Sequence, residues 1–159
     1  KFAIRHHGYS VLRRSKMGTE EDDGTSPQVV ILDTIGELGR LYSLADVVFV
    51  GGSFVKVGGH NILEPAAHGK PVIVGPYMFN FQEIFELLES RGVCLMTKSE
   101  HKFKETLMDL LSHPDTMKRM GEAALTVVHE NQGATERNIK AFEQLVAEAG
   151  VKLGGRHES

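Results

Sequence analysis

Two glycine pairs and a short polar segment form the part of this sequence with the clearest capacity for chemistry. The stretch Gly51–Pro76 carries the pairs Gly51-Gly52 and Gly58-Gly59, and the second pair runs directly into His60-Asn61-Ile62-Leu63-Glu64. Glycines at the carboxyl end of a strand leave backbone N–H groups accessible to an anion, and the N-terminus of a following helix adds partial positive charge. A carboxylate in the first helical turn, such as Glu64, can accept hydrogen bonds from both hydroxyls of a ribose.

Each of these residues also has a purely structural interpretation. Glu64 can cap its own helix, with Asn61 as the N-cap, and the spacing does not decide between a cap and a ribose contact. His60 can touch a phosphate or orient the loop. Glu37 follows a glycine near another predicted helix start and can be a partner of the helix dipole. Phe79-Asn80-Phe81 can anchor the next helix or form the wall of a sugar pocket.

Several standard motifs are absent from the sequence. It has no Gly-Lys-Ser/Thr, which argues against a P-loop ATPase, and its glycine pairs do not match the G-x-G-x-x-G of dinucleotide sites. It also lacks a G-x-S-x-G nucleophile elbow and the H-E-x-x-H zinc spacing. The acidic run Glu20-Glu21-Asp22-Asp23 lacks the pattern of a calcium loop and is predicted to be a solvated surface loop. We therefore expect a ligand-binding half without a catalytic set and without a metal.

The elements that must position these residues alternate between apolar runs and helices. Such alternation is typical of an α/β fold, a Rossmann-like, doubly wound parallel sheet, followed here by a helical C-terminal third. The wholly apolar runs indicate strands covered on both faces. Ligands bind such a sheet outside the carboxyl ends of its strands, where Thr34–Glu37, Gly51–Glu64 and Gly75–Phe81 are predicted to lie. The predicted strands are Tyr9–Arg13, Val29–Leu32, Val47–Val50, Pro71–Val74 and Val93–Met96.

Helices are predicted between and after these strands. Asp33 or Thr34 is expected to cap one whose apolar positions are Leu38, Leu41, Tyr42, Leu44 and Ala45. A second runs from Ile84 to Arg91 and closes at Gly92, and three more follow, the last over Ala134–Ala149. Lys1–His7 is predicted to be the end of a helix. We expect residues 1–150 to be one N-terminally incomplete domain and residues 151–159 to be a disordered tail.

Composition limits the classes of partner. With 159 residues, 41% of them hydrophobic, the chain can bury a core, and its net charge of −3 without a basic face disfavours nucleic acid. No apolar run approaches the roughly 20 residues of a membrane span, so we expect a soluble fragment. The single cysteine, Cys94, lies in an apolar run and is predicted to be a buried structural thiol.

Over roughly Tyr9 to Asn138, the combined pattern closely resembles the C-terminal domain of 3-deoxy-D-manno-octulosonic acid (Kdo) transferases. The resemblance rests on Asp33-Thr34-Ile35-Gly36-Glu37-Leu38, on Phe49-Val50-Gly51-Gly52-Ser53, on Gly58 through Pro65, and on Gly75-Pro76 with Asn80-Phe81. It implies the C-terminal, nucleotide-sugar donor-binding half of a two-domain GT-B glycosyltransferase. The donor would be CMP-Kdo, with no cofactor, and the acceptor a lipid A precursor of lipopolysaccharide.

The resemblance also implies which residues bind the donor. The family's Gly-Glu and Asn-x-x-Glu motifs contact CMP, and with the adjoining loop they correspond here to Ile35, Gly36, Glu37, Gly52, Ser53, Gly59, His60, Asn61, Ile62, Leu63 and Glu64. Phe79, Asn80 and Phe81 are a candidate pocket wall. The family's general base is a glutamate of the N-terminal domain, beside a membrane anchor. Catalysis, acceptor binding and membrane contact at the cytoplasmic face of the bacterial inner membrane are thus expected from polypeptide outside this sequence.

One incomplete motif and two alternative functions stand beside this interpretation. Arg5-His6-His7 is similar to an Arg-His-Pro motif that also contacts CMP, but it lacks the proline and lies too close to the next strand, so we expect the true motif to be absent. A UDP-sugar-binding, epimerase-like domain is one alternative function, and a non-catalytic interaction module is another. The leading expectation is that this chain binds CMP or CMP-Kdo without turnover by itself.

Overall fold

The computed structural model describes residues 7–132 except Glu20, Glu21 and Asp23. The chain divides after Ala45 into two compact units. Residues 1–6 of the helix predicted to end at His7, the helix predicted over Ala134–Ala149 and the tail 151–159 lie outside the described residues, so these expectations stay predictions. The extent of the donor-binding domain, 1–150, also stays a prediction.

The first unit contains two parallel strands, as predicted. Strand β1 is Val11–Arg13 and strand β2 is Val29–Ile31, with Val11 opposite Val29. A 3₁₀ turn, Arg14–Lys16, follows β1 directly. Val30 is 44% exposed, so the expectation that β2 is covered on both faces is wrong for this structure. The described part of this unit has one α-helix, of five residues, which is too little to cover both faces of the pair.

Helix α1 is Leu38–Tyr42, and it begins later than the sequence predicts. The side chains of Asp33 and Thr34 do not cap it, because both are engaged elsewhere. The Asp33 carboxylate accepts hydrogen bonds from the Ser15 backbone N–H at 3.0 Å and from the Ser15 hydroxyl at 2.9 Å. Gly36 has a left-handed φ of +84°, which interrupts any helix starting before it.

The second unit contains a three-stranded parallel sheet in the order β3-β4-β5. The strands are Val48–Phe49, Val72–Val74 and Cys94–Met96, and each lies within a predicted apolar run. Because parallel strands need crossover connections, helices separate them. The helices of this unit are α2 (Leu63–Ala67), α3 (Gln82–Ser90), α4 (Glu100–Ser112) and α5 (Pro114–Gln132).

The central strand β4 is covered on both faces, as its apolar sequence predicts. Val72 and Val74 belong to a core cluster with Phe85 and Leu88 of α3 and Val127 of α5. Ile73 points the other way and packs with Leu110 of α4 and Met120 of α5. Successive strand residues face opposite sides of a sheet, so one three-residue strand serves both cores.

Cys94 is fully buried beside this strand, and burial raises the pKa of its thiol to about 12. The prediction of a structural thiol is therefore confirmed. The edge strand differs from expectation, since Phe49 of β3 is largely exposed, although its ring lies 4.9 Å from that of Phe103. In the part of the chain that the structure describes, no helix combines the length and apolarity needed to cross a membrane.

Candidate functional site

Ser53 anchors the glycine loop to the end of β4. Its side chain is fully buried, and its hydroxyl donates to the Val50 carbonyl oxygen at 2.6 Å and accepts from the Gly75 N–H at 2.8 Å. The Tyr77 N–H donates to the Ser53 carbonyl oxygen at 2.9 Å. The Ser53 hydroxyl is therefore enclosed and holds the loop, and the predicted contact of Ser53 with the donor stays a prediction.

The second glycine pair is required by close packing against the segment that follows β4. Gly58 and Gly59 have left-handed φ values of +94° and +76°. A Cβ on Gly58 would lie 2.3 Å from Asn80 Nδ2, and one on Gly59 would lie 2.4 Å from Met78 Sδ. Both distances are far below van der Waals contact, and both φ values disfavour a side chain, so a larger residue at either position would be strained and would displace Asn80 or Met78.

Hydrogen bonds join the same two segments. Asn80 donates its backbone N–H to the Gly58 carbonyl oxygen at 3.3 Å and its side-chain amide to the Val57 carbonyl oxygen at 3.0 Å. The Gly59 N–H donates to the Gly52 carbonyl oxygen at 3.2 Å, so the expectation that it is bare is wrong. The structure therefore brings the predicted pocket wall, Phe79–Phe81, against the predicted glycine loop.

The wall itself presents a largely exposed aromatic ring. Phe79–Phe81 forms a 3₁₀ turn that leads into α3, and Phe79 is 57% exposed. A shallow groove of about 300 Å³ is lined by Phe79–Ile84. Both predicted roles of this segment are therefore compatible with its position, since it precedes the helix directly and also borders open space.

Asn61 and Glu64 form a pair at the start of α2. The Asn61 side-chain oxygen accepts from the Leu63 N–H at 3.0 Å, and its amide donates to Glu64 Oε1 at 3.2 Å. Both side chains are exposed, whereas Ile62 between them is fully buried. Asn61 lies one residue before the N-cap, Ile62, so the prediction that Asn61 is the N-cap is wrong, although its side chain binds the Leu63 N–H in the first turn. Glu64 is held by the Asn61 side-chain amide and keeps acceptor capacity for a ligand.

The expected contribution of the helix dipole is weak. Helix α2 has five residues, little more than one turn, and its N-cap residue is Ile62. A macrodipole arises from aligned peptide units, so one turn supplies little of it. The capacity of this region to bind a ligand therefore lies in its side chains.

His60 covers Gly52. A Cβ on Gly52 would lie 3.1 Å from His60 Nε2 and 3.1 Å from Val57 Cγ2. The ring therefore packs over the first glycine pair while its side chain stays exposed. This position agrees with the interpretation that His60 orients the loop.

The first unit carries the other predicted segment, Ile35–Glu37. Ile35 is completely exposed, and Glu37 is partly buried at the N-cap position of α1. Arg14 Nη2 donates to Glu37 Oε1 at 2.8 Å, and the Thr34 hydroxyl donates to Glu37 Oε2. The Thr34 hydrogen bond, and then the charge of Arg14, hold the pKa of the Glu37 carboxyl below its ordinary value. Glu37 is therefore a fixed, ionised carboxylate.

Arg14 was not among the residues predicted from the sequence to form the site. Its position gave a usable signal, because it directly follows strand β1, at the carboxyl end where parallel sheets bind ligands. Thr34 was proposed as a helix cap, whereas its hydroxyl donates a hydrogen bond to Glu37.

The acidic run behaves as a loop where it is described, since Asp22 accepts from the N–H groups of Gly18 and Gly24. Among the residues that the structure describes, no group of three or more side chains could hold a metal ion.

Comparison with known proteins gives a consistent family. The family described as "Glycosyl transferases group 1" matches residues 20–127. The chain is 39% identical over 135 residues to the 3-deoxy-D-manno-octulosonic acid transferase of Haemophilus influenzae, covering 84% of this chain and 31% of the relative. It is 37% identical over 136 residues to the transferase of the same name from Bordetella pertussis, again covering 31% of the relative. The chain thus spans about a third of these relatives.

A solved structure is also similar. It is the C-terminal CMP-Kdo binding domain of WaaA from Acinetobacter baumannii, with a TM-score of 0.68 and 32% sequence identity. The likeness covers 79% of this chain and 64% of that one. It confirms the predicted fold class, a Rossmann-like arrangement of parallel strands and helices of the kind found in the C-terminal half of a GT-B fold.

Proposed function

The chain belongs to the group 1 glycosyl transferases, and we propose that it is the donor-binding domain of a Kdo transferase. The observation that carries the proposal is the likeness to a CMP-Kdo binding domain at 32% identity over 79% of the chain. The whole enzyme would transfer Kdo from CMP-Kdo to a lipid A precursor. This chain would supply the nucleotide-sugar site and need no cofactor.

The exposed carboxylate at Glu64 supports a ribose contact. Asn61 holds Oε1, and an ionised carboxylate offers about four lone-pair sites, so acceptor capacity remains for the two ribose hydroxyls of CMP. The pair is held before any ligand binds, which lowers the entropy cost of ordering the site. We propose that Gly59, His60, Ile62 and Leu63 set the position of this pair and that Phe79–Phe81 borders the sugar.

Ile35, Gly36 and Glu37 form the second proposed contact. The left-handed Gly36 makes a turn that leaves Ile35 fully exposed beside the fixed Glu37 carboxylate. An exposed aliphatic side chain gains free energy when a flat nucleobase or a ribose covers it. We propose that this segment contacts the nucleoside of CMP with one apolar and one acceptor group.

No catalytic residue is assigned to this chain. The general base, the acceptor site and membrane contact at the cytoplasmic face of the inner membrane would belong to an N-terminal half of the enzyme. The chain alone would therefore bind CMP or CMP-Kdo weakly and release no product.

The test is an NMR titration of the chain with CMP, UMP and AMP. CMP should shift the amide signals of Ile35–Glu37 and Asn61–Glu64, and UMP and AMP should shift them less. Glu64→Gln preserves the acceptor for Asn61 but removes the charge that two hydroxyls would contact. A hydrogen bond to a charged group contributes about 1.5–3 kcal/mol, so affinity should fall roughly ten- to hundredfold.

Glu100 provides a matched control. It is an exposed glutamate in the first turn of another helix, α4, and Glu100→Gln should leave CMP affinity unchanged. Absence of CMP-dependent shifts in a folded sample would refute the proposal. Competition by UDP but not by CMP would favour the epimerase-like alternative. A lower melting temperature of Glu64→Gln with unchanged affinity would leave Glu64 as a cap alone.

A further inference from the structure

We propose that Arg14 and Thr34 are positioning residues that hold the Glu37 carboxylate in the orientation in which it receives the donor nucleotide. The inference rests on the proposed function and deepens it. Arg14 lies outside every motif on which the resemblance rests, and Thr34, although part of the Asp33–Leu38 motif, was predicted only as a helix cap.

Arg14 and Thr34 donate hydrogen bonds to different oxygens of the Glu37 carboxylate. Arg14 donates to Oε1 at 2.8 Å from the turn after β1, and Thr34 donates to Oε2 from the loop after β2. Donors on both oxygens fix the plane of the carboxylate as well as its position. About two of its four lone-pair sites stay available, and they then point in defined directions.

The same two residues also affect the electrostatics of the Glu37 carboxylate. An unpaired carboxylate would repel the phosphate of a nucleotide, and the Arg14 guanidinium offsets that repulsion. The charged groups that act on Glu37 are Arg14 and Arg40, and together with the Thr34 hydroxyl they keep its pKa below the ordinary value. Glu37 therefore remains an acceptor at neutral and mildly acidic pH.

Stabilisation of the fold is a poor explanation for these contacts with Glu37. The Arg14 and Glu37 side chains are 40% and 33% exposed, and exposed ion pairs contribute little to stability. A neighbouring pair offers the comparison. Arg13 lies 3.5 Å from Asp33, whose carboxylate is bound to Ser15 and not to the proposed nucleotide site. Arg13→Met thus removes a similar charge from the adjacent position, the last residue of β1, without removing a bond to Glu37.

The experiment compares CMP affinity of Arg14→Met, Thr34→Val, Thr34→Ser and Arg13→Met by NMR titration, from neutral pH down to about pH 4. Arg14→Met removes a charge-assisted hydrogen bond to Glu37, and Thr34→Val removes a neutral one. Each variant should therefore bind CMP about two- to tenfold more weakly than the wild type. In both variants, the fall in CMP affinity on acidification should begin at a higher pH than in the wild type. Thr34→Ser retains the hydroxyl and should bind like the wild type, as should Arg13→Met.

A double-mutant cycle supplies the decisive readout. If Arg14 acts through Glu37, Arg14→Met should cost no further affinity in a Glu37→Gln background. A further loss in that background, or wild-type affinity and pH profile in both Arg14→Met and Thr34→Val, would overturn the inference while the proposed function stands. A wild-type chain that is folded and does not bind CMP would instead overturn the proposed function, and this inference with it.

Discussion

Replacing Gly75 with alanine should separate the glycine loop from the end of β4. Gly75 has no left-handed φ, so alanine suits its backbone conformation. The added Cβ, however, would lie 2.4 Å from the Ser53 carbonyl oxygen and 2.7 Å from the Phe54 backbone nitrogen. Both are main-chain atoms, which cannot rotate away as the end of a side chain can.

The size of the effect follows from this geometry. Real Cβ contacts essentially never fall below 3.0 Å, so the two segments must part by at least 3.0 − 2.4 = 0.6 Å. Overpacking of this kind costs about 1–3 kcal/mol. The movement also weakens the buried hydrogen bond from the Gly75 N–H to the Ser53 hydroxyl and the bond from Tyr77, at about 1 kcal/mol each. We expect a total loss of about 3–5 kcal/mol.

Urea unfolding of Gly75→Ala against Gly51→Ala measures this loss. Gly51 has no left-handed φ and nothing within 4 Å of an added Cβ, so Gly51→Ala should change the free energy of unfolding by less than about 0.5 kcal/mol. In samples that remain folded, Gly75→Ala should also weaken CMP binding, because Ser53 positions the loop. Equal stability of the two variants would refute the reasoning that backbone contact between Ser53 and Gly75 anchors the site.

Three further predictions concern the rest of the chain. Gly121→Ala should lower the stability measured by urea unfolding by about 1–2 kcal/mol, although alanine favours helices, because its Cβ would lie 2.3 Å from the Gly69 carbonyl oxygen. Cys94 should resist thiol reagents until the protein unfolds, since burial raises its pKa to about 12. The Ser15 hydrogen bonds lower the pKa of Asp33 in the folded protein. The contribution of Asp33 to stability is therefore present above the ordinary pKa of an aspartate and is lost as pH falls through the pKa of the folded state. Asp33→Asn should flatten the acid dependence of unfolding.

Much of the second unit could be predicted from local sequence. The runs at β4 and β5 are wholly apolar and bounded by turns, and their burial depends on the composition of a few adjacent residues. The helix Gln82–Ser90 is followed by the C-cap Arg91 and then by Gly92, whose left-handed φ of +68° matches its predicted role in closing the helix. The start of α1 could not be predicted, because the rival partner of Asp33 is Ser15, 18 residues earlier.

The sequence by itself determined the alternation of strands and helices and the choice of Glu37 and Glu64 as candidate contacts, because side-chain type and spacing act over a few residues. The tertiary structure decided what holds those contacts and why the glycines are needed. Gly58 is glycine because Asn80 approaches it, and Glu37 is fixed because Arg14 reaches it from 23 residues away. Such contacts depend on distances through space, and only the folded chain brings these residues together.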